Sequence, residues 1–128
     1  MVRTMFGMLA ILSMLAACGE DAATIAARKA EAEAKKDEDS AKAVVLKSLK
    51  DPDSAKFGKI KLVTFSKPDG NFAVKMGCLT VNARNAFGGY TGDQQAMVTS
   101  IKDTWALLSI DNMSHEICLE VVRRMFAK

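Results

Sequence analysis

The N-terminus constrains this chain most, because residues 1–17 contain one charge, Arg3, followed by an uncharged and largely apolar run from Met5. In a chain of only 128 residues, a helix packed on the core would still present a polar face to solvent, and this run has none. It is also too short to span a bilayer as a permanent helix. A charged n-region before a short apolar h-region is typical of an export signal. We therefore predict a cleaved signal peptide over residues 1–17.

Residues 15–18, with the letters LAAC, resemble the lipobox of bacterial lipoproteins, in which small residues precede a cysteine. An ordinary secretory signal has an A-x-A site, which needs no cysteine. The resemblance implies cleavage before Cys18, a covalent diacylglycerol on its sulfur and an N-acyl chain on its new amine. Each acyl chain contributes about 0.8 kcal/mol per buried CH2, so two or three chains give stable membrane anchoring. Removing 17 of the 128 residues leaves a mature chain of 111.

The residue after the lipidated cysteine bears on localisation. In enteric-type bacteria an aspartate there favours retention at the inner membrane, and this chain has Gly19 instead. The lipoprotein resemblance therefore implies a lipid-anchored protein of the cell envelope. It favours the outer membrane, on its periplasmic or surface face, over the inner membrane.

The cysteine count predicts a disulfide. With Cys18 lipidated, an even pair remains, Cys78 and Cys118, and such a pair in an exported protein is typical of a disulfide. Two alternatives are a pair of buried free thiols and a catalytic Cys–His pair. The second arises because His115 and Cys118 are three residues apart on a predicted helix and so share a face.

The mature chain divides into two parts. Residues 18–38 form the lipid anchor and a helix-prone spacer, because this stretch is rich in Ala, Glu and Lys but has no apolar seam for a coiled coil. Residues 39–128 form a single domain, whose first helix we expect to be capped by Asp39 or Ser40. Residues 51–54, DPDS, predict a tight turn with its first aspartate as a cap.

The pattern of the domain predicts an α+β fold. A central β-hairpin spans residues 57–81, and residues 95–101 and 104–110 favour strands, although either could be helical. Asn112 or Ser114 caps a last helix. We expect a small antiparallel sheet of 3–5 strands with the N-terminal and C-terminal helices packed on one face. The predicted inner face of the last helix contains Ile117, Cys118, Val121, Val122 and Met125.

Residues 82–92, NARNAFGGYTG, are the densest cluster of turn residues in the chain. A phosphate-binding loop would need glycines at a set spacing and a following Lys-Ser/Thr, and neither is present. The glycines instead suit positive φ in a loop between strands, with the asparagines bonding their own backbone. The loop is then either a plain turn or a contact surface. The residues of this candidate contact loop are Asn82, Asn85, Gly88, Gly89, Tyr90 and Gly92.

Two segments together resemble a group of small exported bacterial proteins and lipoproteins. These are residues 49–57, LKDPDSAKF, and residues 78–92, CLTVNARNAFGGYTG. The group has a D-P-x-S-A-x-F turn before a C-G-x-V-N-A-x-N-x-x-G-G-Y-x-G segment. This chain departs from it at Leu79, where the group has glycine, and at Asp93, where it has an apolar or aromatic residue. The resemblance implies one domain over about residues 45–100 and no mechanism.

The sequence lacks the common signatures of catalysis. It has one histidine, His115, and no H-E-x-x-H, C-x-x-C or G-x-S-x-G spacing. Four aspartates lie in turn or cap contexts, where Asp is favoured for backbone reasons: Asp51, Asp53, Asp69 and Asp111. We predict no catalytic residue, no metal site and no small-molecule cofactor.

Charge is segregated along the chain, since residues 40–67 contain seven lysines and two aspartates. This stretch suits contact with anionic headgroups or an acidic partner, but it also suits the solvated faces of one helix and one strand. No nucleic-acid motif accompanies it, so nucleic acid is not an expected partner.

Two classes of function follow from these features. The first is a membrane-anchored envelope lipoprotein that acts as a protein-binding or structural module, with an unidentified envelope protein as partner. An inhibitor or immunity lipoprotein against an envelope-acting protein is a narrower form of it. The alternative is a small envelope enzyme with a polar pocket around His115.

Overall fold

The computed structural model describes residues 19–66, 69–70 and 73–127. The predicted signal peptide and Cys18 lie outside these residues. Within the described part of the chain, no helix is long and apolar enough to cross a membrane.

The fold is α+β, as predicted, with a four-stranded antiparallel sheet in the order β1-β2-β3-β4. The predicted hairpin over residues 57–81 is formed by β1 and β2. A short 3-10 turn, Pro52–Ser54, precedes β1. The helices and strands are α1 (Ala22–Leu46), β1 (Lys56–Ser66), β2 (Ala73–Asn82), β3 (Gln94–Ile101), β4 (Thr104–Asp111) and α2 (His115–Phe126).

Helix α1 is longer than the sequence predicted. It begins at Ala22, where the Asp21 side chain accepts a hydrogen bond from the Thr24 backbone N–H at 2.8 Å. Hydrogen bonds from the Thr24 hydroxyl and backbone hold the pKa of Asp21 below its ordinary value. The predicted cap at Asp39 or Ser40 is wrong, because the Ala, Glu and Lys residues before it continue one helix through this point.

Strands β3 and β4 are joined by a two-residue turn. Lys102 and Asp103 both have positive φ, 49° and 60°. This is the conformation of the type I′ turn, whose twist matches that of the flanking strands. The choice between strand and helix for residues 95–101 and 104–110 is therefore settled in favour of strands.

The two helices cover opposite faces of the sheet, so the prediction that both lie on one face is wrong. Successive side chains of a strand point to opposite faces. On one face, Leu79, Val81, Ala96 and Val98 form a cluster with Ala41 and Val45 of α1. On the other face, Met76, Cys78 and Met97 form a cluster with Cys118 and Val122 of α2.

The burial of the central strands explains this arrangement. All residues from Met76 to Val81 in β2 and from Gln95 to Val98 in β3 are buried. Strands buried on both faces read as near-continuous apolar runs rather than as an alternation of apolar and polar residues. The letters MGCLTV of β2 form such a near-continuous apolar run, which indicates that both faces of the strand are covered.

An ion pair joins α1 to the sheet next to the first core cluster. The Lys75 Nζ atom lies 2.7 Å from the Asp37 carboxylate, and both side chains are largely buried. The hydrogen bond that Lys75 donates to the Asp37 carboxylate raises the pKa of Lys75 above its ordinary value, while burial opposes this shift. Asp37 is therefore held at the level of the β3–β4 turn, where Asp103 also approaches Lys75 at 3.8 Å.

Helix α2 is held against its face of the sheet by a disulfide between Cys78 and Cys118, as predicted. The Ser114 side chain caps the helix by accepting a hydrogen bond from the Ile117 backbone N–H. At the other end, the rings of Phe65 and Phe126 stack at 3.9 Å.

The predicted inner face of α2 is only partly correct. Cys118 and Val122 are buried, whereas Ile117 and Met125 are more than half exposed. The apolar stripe of α2 is therefore wider than the surface that it buries.

The disulfide should supply a large share of the stability of the domain. We expect the double variant Cys78→Ala/Cys118→Ala to lose about 4 kcal/mol of unfolding free energy, because the bond closes a long loop in the unfolded chain. Urea denaturation measures this loss. Reduction of the unaltered protein should produce a similar loss, and a change below about 1 kcal/mol in both would contradict the expectation.

Candidate functional site

The loop of residues 82–92, here called the glycine loop, is a miniature hairpin. Arg84 and Tyr90 form an isolated antiparallel bridge. Beyond this bridge, the Asn85 backbone N–H donates to the Gly89 carbonyl at 2.8 Å, and the Gly88 N–H donates to the Asn85 carbonyl at 3.0 Å. The backbone of the loop is thus tied together at its tip.

The two asparagines of the glycine loop have different roles. The Asn85 side-chain oxygen accepts hydrogen bonds from the backbone N–H groups of Phe87 at 2.9 Å and Gly89 at 3.2 Å, as predicted. Asn82 is the last residue of β2 and pairs with Lys56 of β1. Its buried side-chain oxygen has no hydrogen-bond partner among the described residues, so the prediction that it bonds the loop backbone is wrong.

Two of the three glycines have the predicted conformation. Gly88 and Gly92 have φ of +84° and +85°, in the region where a side chain is strained. Gly89 does not have positive φ, and a Cβ atom there would meet only the Asn85 side chain, at 3.9 Å. The backbone conformation therefore favours glycine at position 88 but not at position 89.

The glycine loop is docked on the 3-10 turn before β1. The Ser54 hydroxyl oxygen accepts a hydrogen bond from the Arg84 backbone N–H at 2.8 Å. The Arg84 guanidinium lies 3.0 Å from the Asp51 carboxylate. The segments DPDSAKF and VNARNAFGGYTG, which the sequence sets about 30 residues apart, therefore form one surface.

The outer end of this surface is aromatic and basic. Phe87 is 97% exposed, and Tyr90 is 47% exposed. The Lys56 ammonium lies 4.7 Å from the centre of the Tyr90 ring, which is within the range of a cation–π contact. We call Lys56, Phe87 and Tyr90 the tip of the molecule.

Sequence reasoning identified Tyr90 but not the other two tip residues. Phe87 is the sixth residue of the turn cluster of residues 82–92, where an aromatic residue has no turn-making role, and this was the signal that could have identified it. Lys56 was counted among the basic residues of a strand. Its position over Tyr90 depends on the register of β1 against β2, which shifts between Phe57 and Ile60 and which no local pattern specifies.

A second polar site surrounds His115 at the N-terminus of α2. The imidazole Nδ1 lies 3.0 Å from the Gln95 side-chain oxygen, and the Gln95 amide lies 3.0 Å from the Thr80 hydroxyl. Thr80 and Gln95 are buried neighbours in adjacent strands. This chain of hydrogen bonds fixes the first residue of α2 to the sheet.

The groove over this chain has a volume of about 340 Å³ and is open to solvent. Lys59 and Glu116 form an exposed ion pair across it at 3.3 Å. The Glu116 backbone N–H and then Lys59 hold the pKa of Glu116 below its ordinary value. This ion pair links the first turn of α2 to β1, and its exposure to solvent limits its contribution to stability.

The sulfur of Cys118 is bonded to Cys78, so it does not form a reactive pair with His115. In the part of the chain that the structure describes, no group of three or more His, Cys, Asp or Glu residues has the geometry of a metal site. Of the two polar surfaces, the glycine loop and its tip are therefore the better candidate for function.

Comparison with known proteins adds no further assignment: no family model matches the chain, and no curated protein or solved structure is significantly similar to it.

The two adjacent glycines offer a test of the loop conformation. We expect Gly88→Ala to lower the unfolding free energy by about 1 kcal/mol, because alanine is strained at this positive φ. Gly89→Ala is the matched control and should change it by less than about 0.5 kcal/mol. Urea denaturation of the two variants measures the difference. Equal effects would contradict the described loop geometry.

Proposed function

We propose that this protein is a lipoprotein of the bacterial envelope, anchored through Cys18, whose domain binds an envelope protein through the tip of the glycine loop. The observation that carries the proposal is the exposure of Phe87, which is 97%, on a loop that is hydrogen-bonded on both sides of it. A large apolar side chain held outward in this way contributes nothing to the core of its own domain.

The physical advantage of this arrangement lies in the order of the loop. Binding usually costs free energy because loops and side chains must be ordered at the interface. Here the Asn85 hydrogen bonds and the docking of Arg84 on Ser54 supply that order in advance. Burial of Phe87 in a partner would then contribute about 1.5–3 kcal/mol.

The tip also has the composition of a binding hot spot. Aromatic residues and arginine are enriched among the residues that dominate binding energy. Tyr90 offers a ring and a hydroxyl, and Arg84 lies beside it in the same hairpin. An inhibitor or immunity protein that blocks an envelope-acting protein is one role that such a surface would serve.

Localisation in the envelope is supported by three features of the sequence and one of the fold. The charged and apolar N-terminus, the LAAC segment and Gly19 favour a lipoprotein of the outer membrane. The Cys78–Cys118 disulfide suits an oxidising compartment outside the cytoplasm.

Binding is a better account of the molecule than catalysis. An enzyme would use the groove at His115, where Nδ1 is occupied by Gln95 and the nearest cysteine is in a disulfide. The hydrogen bonds and the ion pair of that groove are accounted for by the attachment of α2. The ring of Phe87, which is 97% exposed, has no such structural account.

Binding can be tested by affinity capture of the full chain from its own envelope. We expect Phe87→Ala and Tyr90→Ala each to reduce recovery of the partner at least fivefold, because each removes buried contact area. Phe57→Leu, at a partly buried position that packs against the first core cluster, is a control for general perturbation. If no protein is recovered with the unaltered chain, or if both tip variants recover it fully, the binding proposal is wrong.

Lipidation is tested separately by metabolic labelling with a radioactive fatty acid. Cys18→Ser should abolish the label and leave the precursor unprocessed, because both the thioether and the cleavage depend on that sulfur. Cys118→Ser, which leaves Cys18 in place, should retain the label. Persistent labelling of the Cys18→Ser variant would refute the assigned site.

A further inference from the structure

We infer that α1 is a rigid strut that holds the tip about 50 Å from its first residue, Ala22, and presents it to a protein pocket that is apolar and carries a carboxylate at its rim. This inference rests on the proposed function, since it takes Cys18 as the anchor and the tip as the binding surface. It adds the position and the chemistry of the partner.

The direction of α1 places its first residue, Ala22, and the tip at opposite ends of the described domain. Asp37 contacts Lys75, near the start of β2, whereas Val45 packs in the cluster of Leu79 and Val81, near its end. Helix α1 therefore runs in the same direction as β2. The glycine loop follows the end of β2, so it lies at the far end from Ala22.

The length between these ends follows from the geometry of the elements. All residues from 22 to 36 are exposed and precede Asp37, so the helix extends about 22 Å beyond its first contact with the sheet. From Lys75 to Asn82, β2 adds about 23 Å. The hairpin of the glycine loop then carries Phe87 further outward, to about 50 Å from Ala22.

The exposed half of α1 is a helix for a physical reason. An isolated helix is limited by the cost of its first turn. Here the buried residues Ala41 and Val45 fix the C-terminal half against the sheet, so the N-terminal half only has to extend an existing helix. Residues 22–36 are rich in alanine and contain neither glycine nor proline. A helical spacer of this kind keeps its two ends at a nearly fixed distance, whereas a flexible linker does not.

The tip indicates the chemistry of the partner. Phe87 requires an apolar pocket, because its ring is almost fully exposed. Arg84 is already paired with Asp51, whereas Lys56 is exposed over the Tyr90 ring. A carboxylate at the rim of the pocket would complete a charge pair with Lys56. A lipid surface is the less suitable occupant, since the strut carries the tip away from the anchoring membrane.

The test uses the lipidated full chain in its own envelope, with a photo-crosslinking amino acid at position 87. The same amino acid at Ile25, which is exposed on the strut, is the control position. We expect a protein adduct from position 87 that position 25 does not give. Deletion of residues 26–32 shortens the strut by about 10 Å and nearly preserves the helical phase, so it should reduce this adduct at least fivefold.

Affinity capture from a detergent extract shows whether the deletion variant fails because its strut is shorter or because it does not fold. There the distance from the membrane no longer matters, so the deletion variant should recover the partner as well as the full-length chain does. Lys56→Glu should reduce recovery at least fivefold in both settings, whereas Lys29→Glu on the strut should not.

The outcomes distinguish the two proposals. If position 87 gives no protein adduct in the unaltered chain, the proposed function itself is wrong. If the adduct forms and survives the deletion in the envelope, only the strut is refuted. A lipid adduct from position 87 would overturn the location of the partner, and equal effects of Lys56→Glu and Lys29→Glu would overturn its chemistry.

Discussion

The burial of β2 and β3 on both faces is the constraint on which the rest of the structure depends. Because both faces are apolar, each needs a covering layer, and the chain supplies one helix for each. The cover on one face comes from the C-terminal half of α1. On the other it comes from the short α2, which needs a disulfide, a cap and the His115–Gln95 contact to remain there.

The packing of one helix on each face of the sheet also determines where the polar side chains of the candidate site lie. The C-terminus of α1, the 3-10 turn and the glycine loop all lie at the end of the sheet that contains Asn82. They meet there because the last residue of β2 pairs with the first residue of β1. The Ser54 hydroxyl and the Asp51 carboxylate then hold the loop through Arg84. The exposed aromatic tip is thus supported by the same elements that close the core.

Local patterns predicted much of this fold. The hairpin of β1 and β2, the cap at Ser114 and the disulfide all follow from turn residues, periodicity and cysteine count. The placement of the helices on opposite faces was not predicted, although the near-continuous apolar run MGCLTV is the pattern of a strand buried on both faces. The start of α1 was missed because Asp39 and Ser40 are good caps that also tolerate a helix interior. Lys56 and Phe87 could not be assigned to one site from the sequence. They are about 30 residues apart, and only the register of β1 against β2 brings Lys56 next to the glycine loop.

Under the proposed export, the disulfide between β2 and α2 would divide folding into two stages. A reducing cytoplasm would keep Cys78 and Cys118 as thiols before transport. Helix α2 would then lack the bond that holds it on its face of β2 and β3. Oxidation after transport would supply that bond. For an exported chain, the cross-link then delays the last step of folding until the protein is in an oxidising compartment.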